Sequence, residues 1–70
     1  MARRHLKRVV DMAARLARAE ADLRLAILEA HESGESVRDI EEYSGISRGR
    51  VHRLLQEALA ERRQREREPG

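Results

Sequence analysis

The positions of glycine and proline are the feature that most constrains how this chain can fold. Residues 2–32 contain neither and are rich in Ala, Leu, Arg and Glu, which are strong helix formers. Ser33-Gly34 ends this stretch and Ser44-Gly45 ends a second one, because glycine accepts the left-handed backbone conformation that follows a helix end. The sequence therefore predicts three helices, and the first, at about 30 residues, is expected to be about 45 Å long.

Residues 36–55 predict two short helices joined by a tight turn. Ser36 is a good N-cap for the first helix, where Asp39 can complete a capping box, and Ser47 caps the second. Apolar residues at helical spacing predict a shared core on both helices, formed by Val37, Ile40, Ile46, Val51, Leu54 and Leu55. In this helix-turn-helix arrangement the second helix can enter the major groove of DNA.

Six of these residues match the pattern of a known motif. They are the turn glycine Gly45, the capping Ser47 and the apolar Ile40, Ile46, Val51 and Leu54. With them, about twenty residues resemble the helix-turn-helix of bacterial repressors, resolvase C-terminal domains and sigma-factor promoter-reading domains. The resemblance implies an all-α fold, a helix-turn-helix three-helix core with a long N-terminal helix, and double-stranded DNA as the partner.

Glu41 departs from the pattern of these families. They usually have a small residue, often alanine, just after the position of Ile40, where the two helices approach closely. Two outcomes are open: the helices lie further apart, or the stem of Glu41 bends out to solvent.

The long first helix carries a heptad pattern with one polar break at Glu20. Its repeating positions are Leu6, Val9, Ala13, Leu16, Glu20, Leu23, Ile27 and Ala30. A three-helix core needs only the second half of this helix, where the residues expected to pack on the motif are Leu23, Ala26, Ile27 and Ala30. The first half then has no cover in its own chain, which predicts a homodimer interface of Leu6, Val9, Ala13 and Leu16. A bent or frayed first helix is the alternative.

The pattern divides the chain into three segments. Residues 1–22 are the N-terminal part of the long helix and the dimerisation segment, and residues 23–60 are the helix-turn-helix DNA-binding domain. Residues 61–70 are a charged C-terminal tail without an apolar face. We expect the tail to be either a solvated, fraying helix end or a basic arm that contacts phosphate.

Composition excludes several classes of function. The chain has no cysteine, so it has no disulfide framework and no thiolate metal site. His5, His31 and His52 are dispersed without metal-ligand spacing, and no catalytic constellation is present, so we expect no enzyme activity, metal or cofactor. No apolar stretch approaches the roughly 20 residues that span a membrane. The basic start is not followed by an apolar signal segment, which favours a cytoplasmic, nucleoid-associated protein.

Charge is distributed unevenly along the chain, although the net charge is only +2. Residues 3–8 carry four positive charges. A block of acidic residues lies between them and the second motif helix, comprising Glu29, Glu32, Glu35, Asp39, Glu41 and Glu42. This acidic block must point away from DNA, and it is either solvated surface or a docking face for a protein partner.

The exposed face of the second motif helix carries the donors that base edges and phosphates require. Gly49 lacks a side chain and allows close approach to a groove, while Tyr43, the only aromatic residue, is expected to be partly buried. The DNA-binding residues predicted are Ser36, Arg38, Ser47, Arg48, Gly49, Arg50, His52, Arg53 and Gln56. An ordinary solvated helix face is the alternative for the arginines.

These features predict a small transcriptional regulator that binds specific double-stranded DNA as a dimer. Abundant alanine and a single lysine are typical of a GC-rich bacterial genome. One alternative is a phage or plasmid DNA-packaging or segregation factor, and another is an adapter that docks on the transcription machinery. Salt dependence separates DNA binding from the adapter, because binding to DNA through several arginines weakens steeply as salt is added.

Overall fold

The fold consists of three helices in the computed structural model, which describes residues 3–67. Helix α1 spans Arg4–Glu32, α2 spans Val37–Ser44 and α3 spans Arg48–Arg67. The predicted all-α fold with a long N-terminal helix is confirmed, and the described residues form no strand. Helix α1 is continuous from Arg4 to Glu32, so the alternative of two separate helices is wrong.

Helix α1 ends in the glycine-dependent geometry that the sequence predicts. Gly34 has φ 107°, in the left-handed region. Its N–H donates to the His31 carbonyl at 3.1 Å, and the Glu35 N–H donates to the Ala30 carbonyl at 3.0 Å. These are the two bonds of a Schellman motif, and they satisfy carbonyls that the helix end leaves free. The chain is thereby turned toward α2.

The core lies where the second half of α1 meets α3. Its buried residues are Ile27, Leu28, Val51, Leu54, Leu55 and Ala58. Partly buried side chains close its edge, namely Leu23, Val37, Ile40, Ile46 and Leu59. The expected burial of Val51 and Leu54 is confirmed, since they are 0% and 5% exposed.

Two expectations about burial were wrong. Ala26 is exposed and Leu28 is buried in its place, because α3 crosses α1 over the face that carries Ile27 and Leu28. Tyr43 is 90% exposed. It lies near the end of the short helix α2, where Ile40 and Ile46 make the contacts with the core and leave the phenol in solvent.

Two ion pairs join α1 to α3 beside this core. The Arg62 guanidinium donates two hydrogen bonds to the Glu32 carboxylate, at 2.5 and 2.7 Å. Arg24 pairs with Glu61 at 2.8 Å. Residues 61–67 of the charged segment are therefore the continuation of α3, and two of them hold α1.

The first half of α1 projects away from the core. Every residue from 3 to 19 is exposed, and the large apolar side chains Leu6, Val9 and Leu16 are each more than half exposed. The radius of gyration is 15.8 Å, whereas a compact 70-residue domain has about 11 Å. Within residues 3–67, no helix is long and apolar enough to cross a membrane.

Candidate nucleic-acid interface

Helix α2 is fixed at its start by Ser36 and at its end by Gly45. The Ser36 Oγ accepts a hydrogen bond from the Asp39 N–H at 3.0 Å, so the predicted N-cap is formed. Gly45 has φ 76°, and its N–H donates to the Glu41 carbonyl at 2.9 Å. This left-handed conformation of Gly45 ends α2 and changes the direction of the chain, which then continues into α3.

The start of α3 is set by Ile46 and Ser47. The Ile46 side chain packs against the core, and its N–H donates to the Ser44 Oγ at 3.1 Å. The Ser47 Oγ accepts from the Arg50 N–H at 3.4 Å, and its carbonyl accepts from the Val51 N–H at 2.9 Å. This N-cap and the buried Val51 together fix which face of α3 points outward.

The outward face of α3 is centred on three residues spaced four and three apart. Gly49, Arg53 and Gln56 lie opposite the buried Val51 and Leu54 on a helix of 3.6 residues per turn. His52, Arg48 and Arg50 flank this centre. A face of this width, with a guanidinium and an amide at its middle, presents the donors and acceptors that base edges in a major groove recognise.

Arg48 lies at the α2 edge of this face. Its Nε donates to the Glu41 carboxylate at 3.3 Å, while 63% of the Arg48 side chain stays exposed. The Glu41 side chain is 37% exposed and reaches toward the start of α3.

An open groove of about 540 Å³ lies beside the turn between α2 and α3. Its lining brings Arg38, Ser47 and Arg48 together with Glu41 and Glu42, so these two acidic residues lie beside the predicted DNA-binding residues and do not point away from them. Ser36 is exposed at the far end of α2 and is not part of this groove. The nine sequence-predicted DNA-binding residues are therefore all exposed, but they divide between the α3 face, the turn groove and the start of α2.

The acidic block is partly engaged within the chain. Glu32 is paired with Arg62 and Glu41 with Arg48. The hydrogen bonds from Arg62 hold the pKa of the Glu32 carboxyl below its ordinary value. These two carboxylates neutralise arginines of α3, which leaves the outward-facing Arg53 as a positive group for a polyanion.

Sequence reasoning missed the residues that hold α3 against α1. Glu32 and Arg62 are 30 positions apart, and nothing local in the sequence signals their contact. Arg24 is largely covered, and its Nε is buried without a hydrogen-bond partner. Within residues 3–67, no group of three or more His, Cys, Asp or Glu side chains is arranged to hold a metal ion.

A scan against protein-family models matches residues 11–68 to the family described as Helix-turn-helix domain. Neither a search of curated proteins nor a search of solved structures found a match. The family match begins in the first half of α1, at residue 11, and includes the rest of α1, α2 and α3, which build the core and present the α3 face. The chain therefore belongs to the helix-turn-helix domain family and is a helix-turn-helix DNA-binding protein.

Proposed function

We propose that this protein is a small bacterial transcriptional regulator that binds a specific double-stranded DNA sequence as a homodimer. Helix α3 lies in the major groove, where Arg53 and Gln56 contact base edges with Arg48, Arg50 and His52 beside them. The observation that carries the proposal is the outward face of α3. Ser47 caps the start of α3, Val51 and Leu54 bury its inner side in the core, and Gly49, Arg53 and Gln56 are exposed on its outer side.

The start of α2 and the turn supply the phosphate contacts in this proposal. Ser36 and Arg38 lie at the N-terminal end of α2, where free N–H groups favour an anion. Ser47 performs the same role at the start of α3. Phosphate contacts of this kind fix the register of the protein on the duplex, and the α3 side chains then read the sequence.

The experiment is a selection from random double-stranded DNA, followed by titration of the selected site and a scrambled site at several salt concentrations. We expect enrichment of a defined sequence and a Kd that rises steeply with salt, because several phosphates are neutralised. An adapter protein would give no enrichment. A packaging or segregation factor without sequence preference would bind both sites equally, with the same salt dependence.

The homodimer part of the proposal rests on the first half of α1. Leu6, Val9, Ala13 and Leu16 lie on one side of the helix and are all exposed. A single helix-turn-helix reads few base pairs, and a two-fold dimer doubles the contacted sequence. Sedimentation equilibrium, with and without a palindromic site, measures the assembly directly.

A further inference from the structure

The exposed apolar residues of α1 continue the helix face that builds the core. We define the α1 stripe as Leu6, Val9, Val10, Met12, Ala13 and Leu16, all of which are exposed. Leu23 lies one heptad after Leu16, and Ile27 lies two heptads after Ala13. A straight helix drifts only about 20° per heptad, so these residues share one face. Helix α3 covers that face in the second half of α1, and nothing in the described chain covers it in the first.

We propose that two copies of this chain pair along the α1 stripe with their α1 helices antiparallel. The inference rests on the homodimer of the proposed function and adds its direction and register. In this register Leu6 faces Leu16 of the second copy, and Val9 faces Ala13 of the second copy. The large leucine pairs then lie at the two ends of the interface, and the smaller pairs lie in the middle. The pairing is two-fold about a point beside residue 11.

The surface of the chain has room for such a partner. Its accessible area is 6050 Å², whereas a compact monomer of 8.1 kDa exposes about 4,500 Å². The difference exceeds the roughly 800 Å² that each partner of a standard interface buries. Four positive side chains of this half of α1 lie on the side away from the stripe and stay in solvent when it is covered, namely Arg4, Lys7, Arg15 and Arg18. Arg8 lies at the edge of the stripe, where it lines one groove with Val9 and Met12.

The position of α3 disfavours a parallel pair. A parallel second α1 on the stripe would continue along the same face and reach the space that α3 fills next to Ile27 and Leu28. The second copy would meet the same obstacle, because its own α3 lies on the corresponding face. An antiparallel second α1 instead runs out past Arg4, where the described part of the first chain places nothing.

Glu20 gives the register a second, independent support. It is the one polar residue in the heptad seam, and a parallel pair would place two Glu20 carboxylates against each other. In the antiparallel register Glu20 lies beside the first turn of the second α1. The helix begins at Arg4, its N-cap Arg3 makes no side-chain cap hydrogen bond, and its first turn contains no acidic residue. A carboxylate there compensates both the free N–H groups and the positive charge of the helix start.

The symmetry of this pairing serves the proposed DNA reading. The two-fold axis is perpendicular to the plane that contains the paired α1 helices. The α3 faces of the two copies therefore lie on the same side of this plane. Both α3 helices can then face one duplex. The helix-turn-helix cores occupy the two ends of the dimer.

The test measures the distance between two identical labels in the dimer. The chain has no cysteine, so Glu29→Cys at an exposed position of α1 takes a single nitroxide label. Antiparallel pairing places the labelled positions about 54 Å apart along the helix axes, at 1.5 Å per residue. Parallel pairing would place them roughly 10–20 Å apart, given the 8–10 Å spacing of packed helices. A short distance in a confirmed dimer overturns the direction while leaving the homodimer intact.

Neutralising Glu20 should change the dimer affinity in opposite senses for antiparallel and parallel pairing. Glu20→Gln should weaken the antiparallel dimer about threefold to tenfold by removing the carboxylate at the partner helix start. It should strengthen a parallel dimer by removing a like-charge contact. Asp22→Asn is the matched control, because Asp22 lies on the side of α1 away from the stripe. A dimer that strengthens in Glu20→Gln overturns the proposal.

Sedimentation equilibrium of the unmodified chain separates failure of the direction from failure of the dimer. A strict monomer at several hundred micromolar overturns both the homodimer and the antiparallel pairing. If that monomer binds phosphatidylserine vesicles, the α1 stripe belongs to an anionic membrane surface, since a basic amphipathic helix also suits that partner. Absence of binding to vesicles together with a dimer and a long label distance supports the proposal.

Discussion

Three residues set the backbone geometry that presents the α3 face, and each acts on its immediate neighbours in the chain. Ser36 and Ser47 bond the N–H groups three residues ahead, and Gly45 has the positive φ that the end of α2 requires. Contacts between residues further apart do not follow from local sequence in the same way. The Glu41–Arg48 pair and the exposure of Tyr43 depend on how α2 is seated, which no spacing pattern reports.

At the centre of the α3 face, Arg53→Ala should weaken specific binding without unfolding the domain. Arginine pairs with guanine through two hydrogen bonds, and a good pair contributes about 1–3 kcal/mol of discrimination. Titration of the selected site and of single-base variants should show relaxed preference at one base pair. Arg63→Ala, an exposed arginine further along α3, is the control and should change affinity without changing preference. Unaltered base preference in Arg53→Ala would exclude Arg53 as a reader.

Gly49 allows folding and binding to be separated at one position. A Cβ placed on Gly49 would meet nothing within 4 Å, so the fold of the free chain does not require glycine there. Gly49→Ala should leave the free energy of unfolding unchanged or raise it by up to about 1 kcal/mol, because alanine favours the helix. It should weaken DNA binding if the backbone approaches the groove closely. Melting curves and gel shifts on the same preparation compare the two effects, and equal or tighter binding would contradict the close approach.

Among the elements, the helices and most of the core followed from periodicity, while the choice of Leu28 over Ala26 did not. The heptad pattern places Leu23, Ile27 and Ala30 on one face, but it does not fix the line along which α3 crosses that face. The crossing depends on how four residues of α3 pack together against α1, namely Val51, Leu54, Leu55 and Ala58. Helix α3 is separated from α1 in the sequence by α2 and two turns. Packing between elements therefore determined what the pattern left open.

Core stability depends on Leu54 at the contact between α1 and α3. Leu54 is 5% exposed, and truncating a buried leucine costs about 2–5 kcal/mol. Leu54→Ala should therefore unfold the domain at a much lower temperature, since a small domain has little stability to lose. Leu25→Ala is the matched control, because Leu25 is 51% exposed on α1. A melt of Leu54→Ala as high as that of Leu25→Ala would mean that α3 is rotated about its axis.

The contact between the end of α1 and α3 should depend on pH through Glu32. The hydrogen bonds from Arg62 lower the pKa of this carboxyl from its ordinary 4.5, so the folded state favours the ionised form. The resulting stabilisation is complete above about pH 4.5 and is lost as the pH falls through the lower folded pKa. Glu32→Gln should lower the melting temperature at pH 7 and have a smaller effect at pH 3. An equal loss at both pH values would assign the effect to packing.

At the scale of the whole molecule, the shape follows from a mismatch between helix length and core size. Helix α1 has 29 residues, but only its second half is covered, which gives overall dimensions of 53 × 38 × 17 Å. The sequence predicted this mismatch, since its apolar repeat begins at Leu6, long before the residues that the motif can cover. The apolar repeat alone does not give the direction of the proposed second copy, because that direction depends on where α3 lies against α1.

Substitutions in the α1 stripe should therefore abolish the dimer without unfolding the chain. Leu6→Asp together with Leu16→Asp places four charges in the paired stripe of a dimer, while both positions are far from Ile27 and the buried core. We expect a monomer by sedimentation equilibrium with an unchanged helical spectrum. Binding to a palindromic site should lose its cooperativity, because each copy then occupies its half-site alone. Leu25→Asp adds a charge to an exposed position of α1 outside the stripe, and it should preserve both the dimer and the cooperativity. If the double variant binds the palindromic site as cooperatively as the unmodified chain, the two copies communicate through another surface and the α1 stripe is not the dimer interface.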